Sequence, residues 1–189
     1  MSSTSYDVVV LGAGSGGYAT ALRSAQLGKK VALIEGDKVG GTCLHHGCIP
    51  TKAMLHVAET IDSIKDAEKL GIFANYEGLD LEVVGQYRQN TINQMHKGLT
   101  GLIKSRKIDL ISGWGRLVDA HTVEVDGKQI TGENIVLATG SYSKSLPGLA
   151  IEGRVITSEQ ALQLTWAPRR AAILGGGVIG VEFASVWAS

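Results

Sequence analysis

Cys43 and Cys48 are the only cysteines among 189 residues, and both lie in one short block, Gly-Gly-Thr-Cys-Leu-His-His-Gly-Cys-Ile-Pro-Thr-Lys, from Gly40 to Lys52. Two thiols this close along a chain suit electron-pair chemistry, in which a sulfur–sulfur bond opens and closes. Along a regular helix, residues at this separation have Cα atoms about 8.6 Å apart, whereas a disulfide requires roughly 4.4–6.8 Å. A bond between them therefore requires the segment to leave ideal helical geometry. Gly47 relaxes the backbone restrictions there, and Pro50, which has no amide donor, suits a first helical turn, so regular helix is expected to resume after Pro50. A tight bridge of this kind is readily reduced, as a catalytic dithiol pair must be. His45 and His46 raise the question of a metal. Cys-x-His-His-x-Cys crowds four ligands into six residues, whereas structural zinc sites draw two pairs from separate segments. No metal is expected, and the histidines are read as neighbours that tune the thiols or as solvated side chains.

The elements that must position this block come just before it. Val8 to Leu11 is an apolar run typical of a buried parallel strand, followed by Gly12, Gly14 and Gly17 in GxGxxG register and a helical stretch from Tyr18 to Leu27 closed by Gly28. A second apolar run, Val31 to Ile34, ends at Glu35, where a dinucleotide fold places the acid that holds a ribose 2′-hydroxyl. The glycines serve a tight turn, close approach of backbone to pyrophosphate, and close packing of helix on strand. The helix N-terminus then faces the phosphates with its positive end.

Downstream, Ala53 to Leu70 carries Met54, Val57, Ala58, Ile61 and Ile64 at helical spacing. Asp80 is expected to open a second helix that buries Val84, Tyr87, Ile92, Met95, Leu99, Leu102 and Ile103. The period then changes. Leu110–Ile111 and Leu117–Val118 read as short strands, and Val123 to Ile130 contains Asp126-Gly127, a two-residue hairpin signal. Ile135 to Ser141 reads as a buried strand ending in the small residues Thr139, Gly140 and Ser141, where backbone can approach a ligand.

A second fingerprint follows: Ala171 to Leu174 as a short buried strand, then Gly175, Gly177 and Gly180, then a helix opening on Val181-Glu182-Phe183-Ala184. Two such units imply two dinucleotides. Glu182 also reads as an ordinary first-turn acid favoured by the helix dipole. The chain stops at Ser189, whereas a βαβ unit needs about 30 residues or more. The second site is therefore expected to lack its second strand and ribose acid, and the chain to be an amino-terminal portion with little turnover alone.

Composition sets outer bounds. With 44% apolar residues and three prolines the chain can bury a sizeable core. Its fold class is α/β, with a Rossmann-type dinucleotide-binding domain over 1–150 that includes a helical insertion and a β-meander, and with the start of a second Rossmann-type domain over 151–189. Eighteen basic and eighteen acidic residues cancel and form no long blocks, so nothing favours nucleic acid or an anionic membrane. No apolar run reaches spanning length, and Met-Ser-Ser-Thr-Ser-Tyr-Asp has neither signal-peptide nor transit-peptide character. Cytoplasm is expected, a compartment in which paired cysteines are more often catalytic or metal-binding than structural.

From the first fingerprint through Gly-Gly-Thr-Cys-Leu-His-His-Gly-Cys-Ile-Pro-Thr-Lys, and over essentially the whole chain, the sequence resembles the pyridine nucleotide–disulfide oxidoreductases. The resemblance implies an FAD enzyme that oxidises dihydrolipoamide, carried on an acyltransferase or carrier protein of a 2-oxo acid dehydrogenase complex, with NAD as final acceptor. It makes Cys43 the outer sulfur that exchanges with the substrate dithiol and Cys48 the inner sulfur that passes electrons to the flavin. Lys52 is implied near the flavin ring, paired with Glu182 near the nicotinamide. Gly12, Gly14, Gly17, Glu35, Gly41, Thr42, Gly115 and Thr139–Ser141 would hold FAD, with Gly113-Trp114-Gly115 matching a backbone contact to its adenine side; Gly175, Gly177 and Gly180 would hold NAD. Full-length members are homodimers through a later domain, which also supplies the catalytic base. Glutathione, trypanothione and mercuric reductases share the cysteine spacing but use NADPH and more often carry Val-Asn-Val-Gly around it. A flavin-binding module without redox catalysis would need no paired cysteines.

Overall fold

The computed structural model describes residues 5–189. The reading that no leader precedes the first strand falls mainly on residues 1–4, outside the described residues.

The apolar runs become strands because a central parallel pair buries both of its faces. β1 (Ser5–Leu11) pairs in parallel with β2 (Val31–Glu35), Val8 opposite Val31 through Leu11 opposite Ile34. β3 (Asp109–Ser112) adds to the outer side of β2, and β6 (Lys128–Leu137) runs parallel to β1 on its other side. β5 (Thr122–Val125) and β4 (Gly115–Asp119) complete an antiparallel meander, giving the order β3-β2-β1-β6-β5-β4. Side-chain alternation divides the core. Val10, Val31 and Leu33 pack with Ala21 of α1 (Ser15–Gln26) and with Ile103 of α4 (Leu81–Ser105). Val9, Leu11, Ala32 and Ile34 point the other way, where Val123 and Val125 close over them.

The hairpin turns where expected, with Asp126 at φ 48° and Gly127 at φ 76°, the paired left-handed conformations of a type I′ turn. Its second strand differs from expectation. The run Ile135–Leu137 is no separate buried strand but the end of the ten-residue β6, and Leu137 is exposed. The reason is pairing: β5 reaches only as far as Thr131, so beyond that point β6 has β1 on one flank and no strand on the other.

The chain divides into two compact units, one comprising residues up to 45 with 94–142 and the other residues 46–93 with 143–189. The first unit holds the sheet and α1, together with α2 (Gly41–His45). Among its described residues the second is helical. There α3 (Cys48–Asp66), extended by a 3-10 turn at Ala67–Leu70, packs on α6 (Val178–Ala188). Met54 and Trp187 flank a small core of Phe183 with Ala161 and Leu162 of α5 (Ser158–Leu162). α3 starts at Cys48, before Pro50 rather than after it, because a proline in the first turn forfeits no intrahelical bond. α4 starts as expected, with the Asp80 carboxylate accepting from the amides of Glu82 and Val83 at 2.9 and 3.2 Å. Its buried stripe is narrower than expected: Ile92 and Ile103 are buried, whereas Tyr87, Met95 and Leu102 are exposed. Only part of so long a helix meets a core, and Ile103 and Leu99 are the side chains that pack beneath the sheet.

Ala171–Leu174 does not form the expected strand. The second unit offers no strand among its described residues to pair with, and an extended segment without a partner leaves its amides and carbonyls to water. Ile173 and Leu174 are accordingly exposed. No helix among the described residues is long and apolar enough to cross a membrane.

Tyr6 donates its hydroxyl to Asp109 Oδ2 at 3.0 Å, tying β1 to β3 past the strand between them. Burial first, then the hydrogen bond and charge of Asp109, raise the phenol above its ordinary value. The folded protein holds that proton more tightly than the unfolded chain. Its contribution to stability is therefore whole below about pH 10 and declines as pH rises through the raised value. Tyr6→Phe is expected to lower stability at pH 7 by about 1 kcal/mol and to flatten the alkaline decline of the urea midpoint. An unchanged alkaline slope would remove Tyr6 as its source.

Candidate functional site

In the first unit, the turn after β1 is built from contacts that leave no room for side chains. Gly12 has φ 98°, and a Cβ on it would stand 2.2 Å from the Ala138 carbonyl oxygen; a Cβ on Gly17 would stand 1.8 Å from the Gly12 oxygen. These approaches place the N-terminus of α1 directly past the end of β1. Gly14 is its N-cap, with no side-chain cap and no acid in the first turn, so the unpaired amides of a positive helix end await an acceptor. Near Gly14 the space is open, its would-be Cβ meeting only Gly41 Cα at 3.9 Å. The donor set and the cleared backbone fit the pyrophosphate of a dinucleotide.

Glu35 closes the turn from β2. Its Oε2 accepts from Ala13 N at 2.7 Å and its Oε1 from Asp37 N at 2.9 Å. Each carboxylate oxygen keeps one lone pair for a ribose hydroxyl. Gly40 N donates to Ala13 O at 2.8 Å, which sets Gly41 against Gly14 and fixes where α2 begins. Gly12, Gly14, Gly17, Glu35 and Gly41 are thus brought together as expected, with Thr42 exposed in the first turn of α2. Thr139, Gly140 and Ser141 follow β6 as exposed coil. Gly115 opens β4 in a different setting: a Cβ there would meet Leu11 Cδ1 at 2.4 Å and Val123 Cγ1 at 3.0 Å, so packing under the sheet requires its glycine.

The cysteine block is interrupted where chemistry asks for it. Cys43 is half-buried on α2, His46 and Gly47 leave the helix, and Cys48 is the exposed first residue of α3. The two cysteines therefore do not share one continuous helix. Thr51 pins the new helix start, donating from both its amide and its hydroxyl to Gly47 O at 3.1 and 2.7 Å. Each histidine has a partner, and the His46 side chain stays 39% exposed. In the first unit His45 Nε2 lies 2.9 Å from Val39 O, and its ring meets His96 edge-on at 5.1 Å. In the second, His46 Nδ1 lies 3.3 Å from Glu159 Oε1. No group of three or more His, Cys, Asp or Glu among the described residues could hold a metal ion.

Also in the second unit, the Lys52 ammonium donates to Glu182 Oε1, with the lysine 57% and the glutamate 18% exposed at their side chains. Glu182 lies past the first turn of α6, so the reading of it as a first-turn acid is corrected. The second fingerprint keeps the local form of the first: Gly175 has φ 104°, Gly177 is an N-cap without a side-chain cap, and a Cβ on Gly180 would stand 2.2 Å from Gly175 O. What it lacks is a strand beneath it.

Sequence reasoning missed Ala13, and it missed two contacts: the Ala138 carbonyl under Gly12 and the Trp114 ring on Gly36, beside Glu35. The signal for Gly36 was a glycine directly after the ribose acid, at a position the fingerprint leaves unspecified.

A family model described as pyridine nucleotide-disulphide oxidoreductase matches residues 6–189. The dihydrolipoyl dehydrogenase of Bacillus subtilis (strain 168) is 40% identical over 198 residues, an alignment covering 97% of this chain and 42% of that protein. Dihydrolipoyl dehydrogenase 3 of Pseudomonas aeruginosa is 42% identical over 192 residues, covering 97% and 41%. Among solved structures, the HOCl-induced flavoprotein disulfide reductase RclA from Escherichia coli superposes with a TM-score of 0.76 at 32% identity, over 97% of this chain and 40% of that one. The chain thus spans about two-fifths of the length of these relatives.

The glycine contacts separate two kinds of loss. Gly17→Ala drives a methyl into the Gly12 carbonyl and is expected to cost about 1–3 kcal/mol of stability. Gly14→Ala meets open space and is expected to change stability by less than about 1 kcal/mol while weakening binding of FAD. Urea unfolding and FAD titration on the same two variants check this; equal stability losses would contradict it.

Proposed function

The chain belongs to the pyridine nucleotide-disulphide oxidoreductase family, and from that premise we propose that it carries the FAD-binding and dithiol portion of a dihydrolipoyl dehydrogenase. The observation that carries the reading is the helix break at His46–Gly47, which puts Cys43 on one helix and Cys48 at the start of the next, downstream of a turn built for a dinucleotide. The substrate is dihydrolipoamide on a carrier protein of a 2-oxo acid dehydrogenase complex, and the assembly is a homodimer. The relatives' name, dihydrolipoyl dehydrogenase, supports the dihydrolipoyl substrate, and the family resemblance of the cysteine block supports the complex and the homodimer.

The uncapped first turn of α1 at Gly14 would hold the pyrophosphate through backbone amides, with Gly12 and Gly17 making the close approaches that shape the turn, and Glu35 would hold the adjoining ribose. Bound FAD would supply a two-electron acceptor. The chain's own thiols do the exchange. A substrate thiolate attacks Cys43 Sγ, the Cys43–Cys48 bond breaks, and Cys48 leaves as the thiolate at the positive end of α3. The second substrate thiol then displaces Cys43 Sγ and closes the substrate's own disulfide. The substrate loses two electrons and two protons, and the cysteine pair gains the two electrons. With FAD bound, Cys48, the inner sulfur by resemblance, would be the group that gives them up. By resemblance, Lys52, paired with Glu182, would stand near the flavin, where its positive charge would offset the negative charge that reduction adds.

The two sulfurs should differ in their spectra. In the FAD-loaded protein, Cys43→Ser is expected to show long-wavelength absorbance from interaction of the Cys48 thiolate with oxidised flavin, and Cys48→Ser to show none. Identical spectra would leave the inner and outer assignment without support.

The Lys52–Glu182 pair is largely solvent-exposed on the lysine side, so its coupling in a double-mutant cycle of unfolding is expected to be only about 0.2–1 kcal/mol. A coupling well above that range would give the pair a structural rather than an electrostatic task.

A further inference from the structure

Charges that cancel over the whole chain do not cancel over the surface of the first unit. α1 and α4 both end where the parallel strands β2 and β3 start. Lys29 and Lys30 fill the turn between α1 and β2, while Lys104, Arg106 and Lys107 occupy the last turn of α4 and the passage into β3. Ala32 and Asp109 are paired neighbours in the two strands, so the two turns lie side by side. All five cationic residues are exposed. The carboxylates flanking these turns are Asp7 and Asp109, and both are taken up by neutral donors: Asp7 Oδ2 accepts from the Lys30 amide at 2.6 Å and Asp109 Oδ2 from the Tyr6 hydroxyl at 3.0 Å. Among the described residues none of the five cations has an ion pair.

The two helix ends share one geometry but not one residue type. After α1, Gly28 has φ 77° and Lys29 N donates to Ser24 O at 3.1 Å; after α4, Lys107 has φ 56° and Ile108 N donates to Ile103 O at 3.4 Å. Both are the six-to-one closure that needs a left-handed residue, for which glycine is usual. A lysine there carries a conformational cost that glycine avoids. Burial does not call for it, because Lys107 is exposed, and α1 closes in the same way with glycine. What the lysine adds is charge, set beside four other cations that repel it. An anionic partner relieves that repulsion, and complementary charge steers such a partner to the place where like charges converge. Protein carboxylates fit this end better than nucleic acid does. Single-stranded nucleic acid is held by aromatic faces as well as by charge, whereas Tyr6, the ring at this end of the sheet, is buried with the Lys30 ammonium already over it at 5.0 Å. The glycine turn stays clear of such a partner, since Lys30 and Glu35 stand at opposite ends of β2, about 17 Å apart at the rise of a strand.

We propose that the amino-terminal end of β2 and β3, with Lys29, Lys104, Arg106 and Lys107, is a docking surface for a carboxylate-rich segment of a partner protein, Lys107 accepting local strain for the sake of its charge. The inference goes beyond the dithiol reading and does not depend on it, because the surface lies at the other end of the strands from the glycine turn.

The test is titration of a fluorescently labelled, short polyglutamate peptide with the chain, followed by anisotropy at low and at physiological salt. The unmodified chain is expected to bind the peptide at low salt and to bind it less tightly as salt rises. Combining Lys29→Gln, Arg106→Gln and Lys107→Gly is expected to weaken binding by about tenfold or more. Lys107→Gly alone separates docking from folding: it removes a charge and the strain together, so peptide binding should weaken while the urea midpoint stays unchanged or rises. No binding by the unmodified chain, or equal binding by the combined variant, overturns the docking surface. Tighter binding of a single-stranded RNA carrying the same number of charges overturns it as well, because the class of partner is then wrong. A fall in the urea midpoint of Lys107→Gly alongside its loss of peptide binding would make that loss structural and overturn the role given to Lys107.

Discussion

The first unit depends on one close backbone approach. Where β1 ends, the Gly12 carbonyl lies under Gly17, and the Ala138 carbonyl lies under Gly12, at distances that admit no Cβ. This contact joins β1, α1 and the end of β6 at a single point. The Ala13 amide and carbonyl, one residue on, then receive Glu35 from β2 and Gly40 from the segment leading into α2. The start of the cysteine block is thus set by the same few residues that clear a dinucleotide site, so the two functions share one foundation.

The two fingerprints show how much of that arrangement is local. Gly175 and Gly177 reproduce the φ angles of Gly12 and Gly14, and Gly180 the carbonyl-on-glycine contact of Gly17, without any strand beneath them. The turn and the helix start are therefore written in the glycine register itself. The strand is not, because Ala171–Leu174 becomes one only if neighbours accept its hydrogen bonds. In the first unit those neighbours are present, and Gly12 meets Ala138; a Cβ on Gly175 would meet nothing within 4 Å.

The same distinction explains what was legible in the sequence. The parallel strands, the hairpin at Asp126-Gly127, the cap at Asp80 and the break near Gly47 all follow from local chemistry, and the sequence alone places them correctly. β6 was split in two because its halves serve different partners, a fact of pairing rather than of pattern. α4 was given too wide a buried face because apolar spacing shows which side of a helix can be buried, not how many of its turns meet a core. At the site, the turn that Gly12, Gly14, Gly17 and Glu35 build together was readable from spacing. Trp114 on Gly36 was not, since the two residues lie on different strand ends and meet only once β2 and β3 pair. The division of His45 and His46 between separate partners was likewise hidden, because adjacent residues in a helix-ending turn point in directions that spacing does not determine.

The central claim is that the first glycine turn, and not its locally similar counterpart, holds FAD in this chain. Amide hydrogen exchange with and without FAD tests it most directly. Exchange is expected to slow by about tenfold or more across Gly12–Gly17 and Thr139–Gly140, with Gly175–Gly180 unchanged. Slowing at Gly175–Gly180 without any at Gly12–Gly17 would contradict the account.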